Sequence, residues 1–185
     1  MPENPFKGLW NLPNTLSLIR VFCIPLILWL LNDPSPGDLF VAALVLAVAF
    51  FTDLLDGFFA RRNREVTSLG KLLDPLADKL LICASLIMLI PLGFIPPWLV
   101  FLLVGREMAV TGLRGMASAK GEIIAASFFG KSKTALQMAA ILFFLVPSPF
   151  IFLSFQTVGT VLIWLALIVS WFSGVAYFYR FYRGE

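Results

Sequence analysis

The sequence predicts an all-α, polytopic integral membrane protein, with six transmembrane helices behind a short N-terminal interfacial segment and a single membrane domain over residues 1–185. Three observations carry this. The chain is 59% hydrophobic and only 14% charged, where soluble domains are about half apolar and about a quarter charged, and its mean hydropathy is +0.91. Its apolar residues gather in stretches close to the roughly 20 residues that a helix needs to cross a bilayer. Its fourteen Lys and Arg cluster in alternate connections between those stretches.

The elements follow in order. "NPFKGLWNLP" mixes Phe6, Leu9 and Trp10 with Lys7, a pattern suited to a segment lying in the membrane interface. The apolar stretch after it is too long for a leader peptide and no small-residue cleavage site follows, so a cleaved leader is not expected. The first span covers 13–31 and stops at "NDPSPGD", a run of helix-breaking residues. The second covers 39–60 and ends at the charged segment 61–71. The third, 72–92, runs into "PLGFIPP", with Pro75 expected in the first turns of its helix, where proline is tolerated. The fourth covers 97–116, the fifth 132–150 with "VPSPF" at its end, and the sixth 156–179.

The charges orient these spans. Lys7 and Arg20 belong to the N-terminal side, and Arg61, Arg62, Arg64, Lys71 and Lys79 flank the second connection. Arg106, Arg114, Lys120, Lys131 and Lys133 flank the fourth, and Arg180 and Arg183 follow the last span. The other connections contain no Lys or Arg, and the first carries Asp33 and Asp38. By the positive-inside rule both termini and the charged connections face the cytoplasm. These cations serve topology, so no nucleic-acid partner is expected.

Histidine is absent, which removes the usual general base and every triad built on it. Cys23 and Cys83 stand singly within apolar runs, a pattern of small apolar side chains and not of a zinc site. Acid–base or metal chemistry therefore falls to carboxylates. The stretch "TDLLDGFFARRNREVTSLGKLLDPLADK", Thr52 to Lys79, holds four aspartates. At about 100° per residue, Asp56, Gly57, Ala60 and Arg61 fall within about 80° of Asp53, and Gly70 and Asp78 within about 40° of Asp74. With about ten residues between them, the second and third spans are expected to be antiparallel neighbours whose carboxylates converge just inside the cytoplasmic surface.

Four unpaired anions so close would drive their own neutralisation. Either arginines or metal ions balance them, and an oxygen-only donor set selects Mg²⁺ or Mn²⁺. Two divalent ions would balance four carboxylates, an arrangement associated with phosphoryl chemistry. Gly57, Ala60 and Gly70 leave room for a bulky substrate against the backbone, and Arg61 suits a phosphate. The plainer alternative is that small residues serve helix packing and that terminal aspartates are hydrated.

Asp53-x-x-Asp56-Gly57-x-x-Ala60-Arg61, eight residues, Gly70, three residues, Asp74, three residues, Asp78 resembles the signature of the CDP-alcohol phosphotransferases, matching at every signature position. The resemblance implies six spans, a homodimer, and transfer of a phosphatidyl group from CDP-diacylglycerol to an alcohol with release of CMP. It implies that Asp53, Asp56, Asp74 and Asp78 surround two divalent cations, and that Asp53, Asp56, Gly57, Ala60, Arg61, Gly70 and Asp74 hold the CDP moiety. Asp78 is then the base for the acceptor hydroxyl. It also implies a bacterial cytoplasmic membrane, with the active site on its cytoplasmic side.

A second region concerns the acceptor. Arg106 and Arg114 lie about 80° apart on a helix, so both can face one pocket, with Glu107 as a partner for Arg106. Lys131 and Lys133 begin the next span from the same side. Such cations suit an anionic acceptor, above all a phosphate; the alternative is snorkelling topogenic charge. Arg106-Glu107, Val110, Leu113-Arg114 and Gly130-Lys131-x-Lys133-Thr134-x-x-Gln137-Met138 resemble the phosphatidylglycerophosphate synthase branch of the family. So does "LPNTLSLIR", which adds Asn14, Thr15 and Arg20 as a possible further pocket. Gly115 departs from it, standing where that branch often has Glu. The acceptor implied is sn-glycerol 3-phosphate. An inositol-phosphate acceptor within the same family is one alternative. An Asp-lined cation transporter is another, from a different class, but it would place its acids near mid-membrane.

Overall fold

The computed structural model describes residues 12–59, 68–119, 128–147 and 154–183. Among them it contains six helices and no strand: α1 Leu12–Leu30, α2 Pro36–Phe59, α3 Ser68–Met88, α4 Pro97–Ala119, α5 Phe128–Leu145 and α6 Phe155–Arg183. The N-terminal interfacial segment predicted for residues before Leu12 lies outside the described residues.

Helix boundaries follow local chemistry. Ser35 opens α2 as a cap with Pro36 at the first helical position, where its missing N–H costs nothing. The Ser35 hydroxyl accepts from the Asp38 backbone N–H at 3.3 Å, while Asp38 Oδ2 accepts from the Ser35 backbone N–H at 2.9 Å and from its hydroxyl at 2.6 Å. This reciprocal arrangement is a capping box. Pro96 similarly begins α4, its carbonyl accepting from the N–H groups of Leu99 and Val100.

The α-helical pattern of α3 stops at Met88, earlier than the predicted end at 92, because Pro91 has no N–H to continue it. The chain then turns: Phe94 N–H donates to the Leu89 carbonyl at 3.2 Å and Gly93 N–H to the Ile90 carbonyl at 3.0 Å. Gly93 sits at φ 75°, the left-handed geometry that glycine supplies in a Schellman cap. At its other end α3 starts at Ser68 rather than 72, so Pro75 is the eighth residue of the helix, about two turns in. α5 starts earlier too, at Phe128, and ends at Leu145, since the residue before Pro147 is steered out of the α region.

The helices fall in two compact units. In the first, α1 packs against both α2 and α3. Ile27 and Leu31, Ala42, Ala43 and Leu46, and Ala77, Leu81 and Leu86 form its buried apolar interior. In the second, α4 packs along α6. Its interior holds Leu99, Leu103, Val110 and Leu113 of α4, Ala140 and Ile141 of α5, and Ile163 and Ala166 of α6. Phe94 stacks on Phe144 at 5.7 Å and Trp98 meets Trp164 edge-on at 5.6 Å.

Large apolar side chains also remain outside. Phe22 and Trp29 of α1, Phe40, Leu44, Val48 and Phe51 of α2, Phe101 of α4 and Phe172 and Val175 of α6 are all exposed. Contiguous exposed apolar faces of this kind mark a contact with lipid or protein. Among the described residues α6, with 29 residues, is long and apolar enough to cross a membrane; Ser17–Leu30, Pro36–Thr52 and Ser132–Leu145 are shorter apolar stretches.

The hydrogen bonds from the Ser35 side chain, and then from its backbone, hold the Asp38 carboxyl below its ordinary value of 3.8. A carboxylate depressed in the folded state stabilises above the unfolded value and loses that contribution as pH falls through the folded one. Asp38→Asn is therefore expected to lower the thermal midpoint at neutral pH, and the gap from wild type should close well below pH 3.8. Thermal unfolding of both proteins across that range in one detergent checks this.

Candidate functional site

The four signature aspartates are carried by the end of α2 and the first part of α3. Asp53, Asp56 and Gly57 lie in the last two turns of α2, Gly70 and Asp74 in the first two turns of α3, and Asp78 one turn further on. Ala60 and Arg61 lie outside the described residues. Asn14 and Thr15 sit in the first turn of α1, and Lys131 in the first turn of α5.

Asp78 has a partner on another helix. Arg20 of α1, 3% exposed in its side chain, donates from Nη1 to Asp78 Oδ1 at 3.0 Å. Arg20 therefore pairs with the fourth signature aspartate, and arginine pairing is one of the two ways the sequence left open for balancing these charges. The pair sits where α1 crosses α3, so the α1 to α3 packing aims the fourth aspartate. As a donor set, four carboxylates without histidine or thiolate fit a hard divalent ion. Among the described residues no group of three or more metal-ligating side chains is assembled.

The cations of the second region are organised by one carboxylate. Glu107 Oε2 accepts from Arg106 Nη1 at 3.3 Å and also pairs with Lys133 Nζ. Arg106 and Lys133 are 8% and 5% exposed, so Lys133 is a buried ion-paired group rather than a snorkelling one. Among the described residues, Glu107 is thus shared by two cations. Arg114 is exposed, with its guanidinium over the Tyr177 ring, 5.4 Å from the centroid. Arg106 and Arg114 thus both contact α6.

Four α6 residues in this arrangement were not singled out from the sequence. Arg106 Nη2 donates to Ser173 Oγ at 2.5 Å, and the Ser173 hydroxyl donates to the Ser170 carbonyl at 2.9 Å. Gly174 lies against the same guanidinium: a Cβ there would stand 3.1 Å from Arg106 Nε. Tyr177 packs with Val110 and Leu113 beneath Arg114. The signal was present as a buried stripe of Ser170, Ser173, Gly174 and Tyr177 at helical spacing in an otherwise apolar segment.

Residues 10–172 match the model of the CDP-alcohol phosphatidyltransferase family. The chain is 38% identical over 183 residues to a Bacillus subtilis protein named CDP-diacylglycerol–glycerol-3-phosphate 3-phosphatidyltransferase, covering 92% of this chain and 94% of that one. A Rickettsia bellii protein of the same name is 36% identical over 171 residues, with 91% and 93% covered. A Mycobacterium tuberculosis protein named probable phosphatidylglycerophosphate synthase is 39% identical over 140 residues, with 74% and 66% covered.

Removing one member of a buried ion pair strands the other's charge, while removing both relieves it. With Asp78 partly exposed, Arg20→Met is expected to destabilise the protein by about 2 kcal/mol, and Arg20→Met with Asp78→Leu by clearly less than the sum of the singles, a coupling of about 1 kcal/mol. Unfolding of the single and double variants measures it, and strict additivity would rule out an energetic pair.

Proposed function

The chain belongs to the CDP-alcohol phosphatidyltransferase family, a family of membrane enzymes, and on that premise we propose that it transfers the phosphatidyl group of CDP-diacylglycerol to sn-glycerol 3-phosphate. The products are phosphatidylglycerophosphate and CMP. The observation that carries the acceptor assignment is the buried Arg106–Glu107–Lys133 cluster, where two cations gather on one carboxylate among the described residues, since such cations suit a phosphate. The names of relatives at 34–38% identity support the same reaction.

The site residues have distinct tasks. Asp53, Asp56, Asp74 and Asp78 would hold two Mg²⁺ or Mn²⁺ ions, and the family generally uses divalent metals. When bound, such ions neutralise the diphosphate and align its oxygens. Gly57, Ala60 and Gly70 leave space for the CDP moiety, and Arg61 supplies charge-assisted bonds to its phosphate. Arg106, Arg114, Lys131 and Lys133 hold the acceptor's phosphate, which leaves its primary hydroxyl free to react. In the reaction the primary hydroxyl oxygen attacks the β-phosphorus in line with the leaving CMP. Asp78, aimed by Arg20, takes the hydroxyl proton, and the bond to CMP breaks with its electron pair leaving on the CMP phosphate.

The setting is the cytoplasmic membrane of a bacterium. All six helices cross it, both termini and the site face the cytoplasm, and two copies form a homodimer. The exposed apolar faces on α1, α2, α4 and α6 support lipid around the helices, and the alternation of Lys and Arg supports the orientation.

Purified protein in detergent, given CDP-diacylglycerol and Mg²⁺ with a panel of acceptors, is expected to release CMP with glycerol 3-phosphate and little with glycerol, serine or inositol phosphate. Equal rates with glycerol and its phosphate would overturn the cationic pocket. Chelation should abolish turnover and added Mg²⁺ or Mn²⁺ restore it. Asp56→Asn should lower kcat by about 100-fold or more and weaken metal binding in calorimetry at unchanged thermal stability; near-normal turnover would contradict the carboxylate site.

A further inference from the structure

We propose that α6 forms one wall of the acceptor site, with Ser173 and Gly174 as positioning residues that fix where the Arg106 guanidinium stands. Through that arginine they set how tightly the acceptor's phosphate is held. This rests on Arg106 being a ligand of that phosphate. Neither α6 residue has a charge to offer the phosphate itself.

The polarity of the Ser173 contacts is what fixes the guanidinium. The hydroxyl hydrogen is committed to the Ser170 carbonyl at 2.9 Å, so the oxygen presents lone pairs, and Arg106 Nη2 donates to them at 2.5 Å. A hydroxyl free to rotate would not define one direction; this one is tied back to its own helix. Glu107 takes Nη1, so two separate helices clamp the two ends of the fork. Ser173 is 7% exposed and Arg106 8%, which keeps water from replacing either contact.

Gly174 completes the fit by having no side chain. A Cβ at this position would stand 3.1 Å from Arg106 Nε, 3.5 Å from Cγ and 3.8 Å from Cζ, forcing the arginine to give way by a few tenths of an ångström. One turn on, Tyr177 receives the Arg114 guanidinium over its ring. A single stripe of α6 therefore addresses both arginines of α4.

Small residues also serve plain packing, and the same helix contains the comparison. A Cβ at Gly159 would meet ring carbons of Phe144 at 3.1 Å and the Ala140 carbonyl at 3.2 Å. The two glycines are equally tight, but only Gly174 faces a cation.

The experiment measures both Michaelis constants and thermal midpoints for the full-length enzyme in detergent, with and without glycerol 3-phosphate. Ser173→Ala and Gly174→Ala are expected to raise the KM for glycerol 3-phosphate about 10-fold, the worth of one hydrogen bond to a charged group, and to leave the KM for CDP-diacylglycerol unchanged. They should also shrink the thermal shift that glycerol 3-phosphate produces. Ser173→Thr, which keeps the hydroxyl, should restore both. Gly159→Ala should lower the thermal midpoint without changing either KM. Should Arg106→Gln leave the acceptor KM untouched, the phosphate-binding assignment itself falls. Should Arg106→Gln raise it while Ser173→Ala and Gly174→Ala behave like Gly159→Ala, the α6 wall is refuted and the assignment stands. If Gly174→Ala does not fold, the Ser173 pair of variants decides alone.

Discussion

An ion removed from water must be matched where it stands. The uncompensated cost is several kcal/mol per group, more than a marginally stable fold can absorb repeatedly. Each described unit meets this constraint with a pairing between helices: Arg20 of α1 with Asp78 of α3, and Glu107 of α4 with Lys133 of α5. The partners are far apart in sequence, so each pairing is formed only when the right helices pack in the right register. Charge and helix packing are therefore not separate requirements in this chain, since the paired ions also select the arrangement of the helices that carry them.

The two clusters differ in their balance. Among the described residues Asp78 is matched by Arg20, whereas Glu107 is shared by two cations through one oxygen. The signature positions of α2 and α3 carry acceptors, a chemistry that suits cations; Arg106 and Lys133 carry donors, a chemistry that suits an anion. A reaction that joins a diphosphate lipid to a phosphorylated alcohol needs both kinds of site, one to mask charge on the donor and one to seat the acceptor.

Much of this was legible from residue order alone. Apolar length and punctuation by Pro and Gly located six helices to within a few residues, because both signals are local. The misplaced boundaries were also local in origin: Pro91 ends the hydrogen-bond ladder of α3 before its apolar run ends, α3 begins at the polar Ser68, and α5 begins with Phe128 and Phe129 ahead of the polar Gly130–Thr134 stretch. Glu107 was legible as the neighbour of Arg106, one residue away. Its second partner Lys133, 26 residues on, was not, and neither was Arg20 on Asp78, 58 residues apart. Such pairings depend on which helix faces lie together, and helical periodicity within one segment does not specify its neighbour. Ser173 and Gly174 escaped for a related reason. A serine and a glycine in a membrane-like helix read as packing residues until an arginine is found against them.

The far end of α6 bears on how deep the acceptor cluster lies. Arg183 rests over the Tyr179 ring at 4.4 Å, and Tyr182 is 94% exposed, the mixture of aromatic and basic groups that settles at headgroup level. Ser173 precedes Arg183 by ten residues, about 15 Å along the helix axis. A rigid helix moored at its rim carries that distance into any bilayer, so thicker or thinner membranes would be accommodated at the opposite end of α6. The polar headgroup layer, and not the hydrocarbon thickness, then sets how far a water-soluble alcohol must descend to meet its lipid.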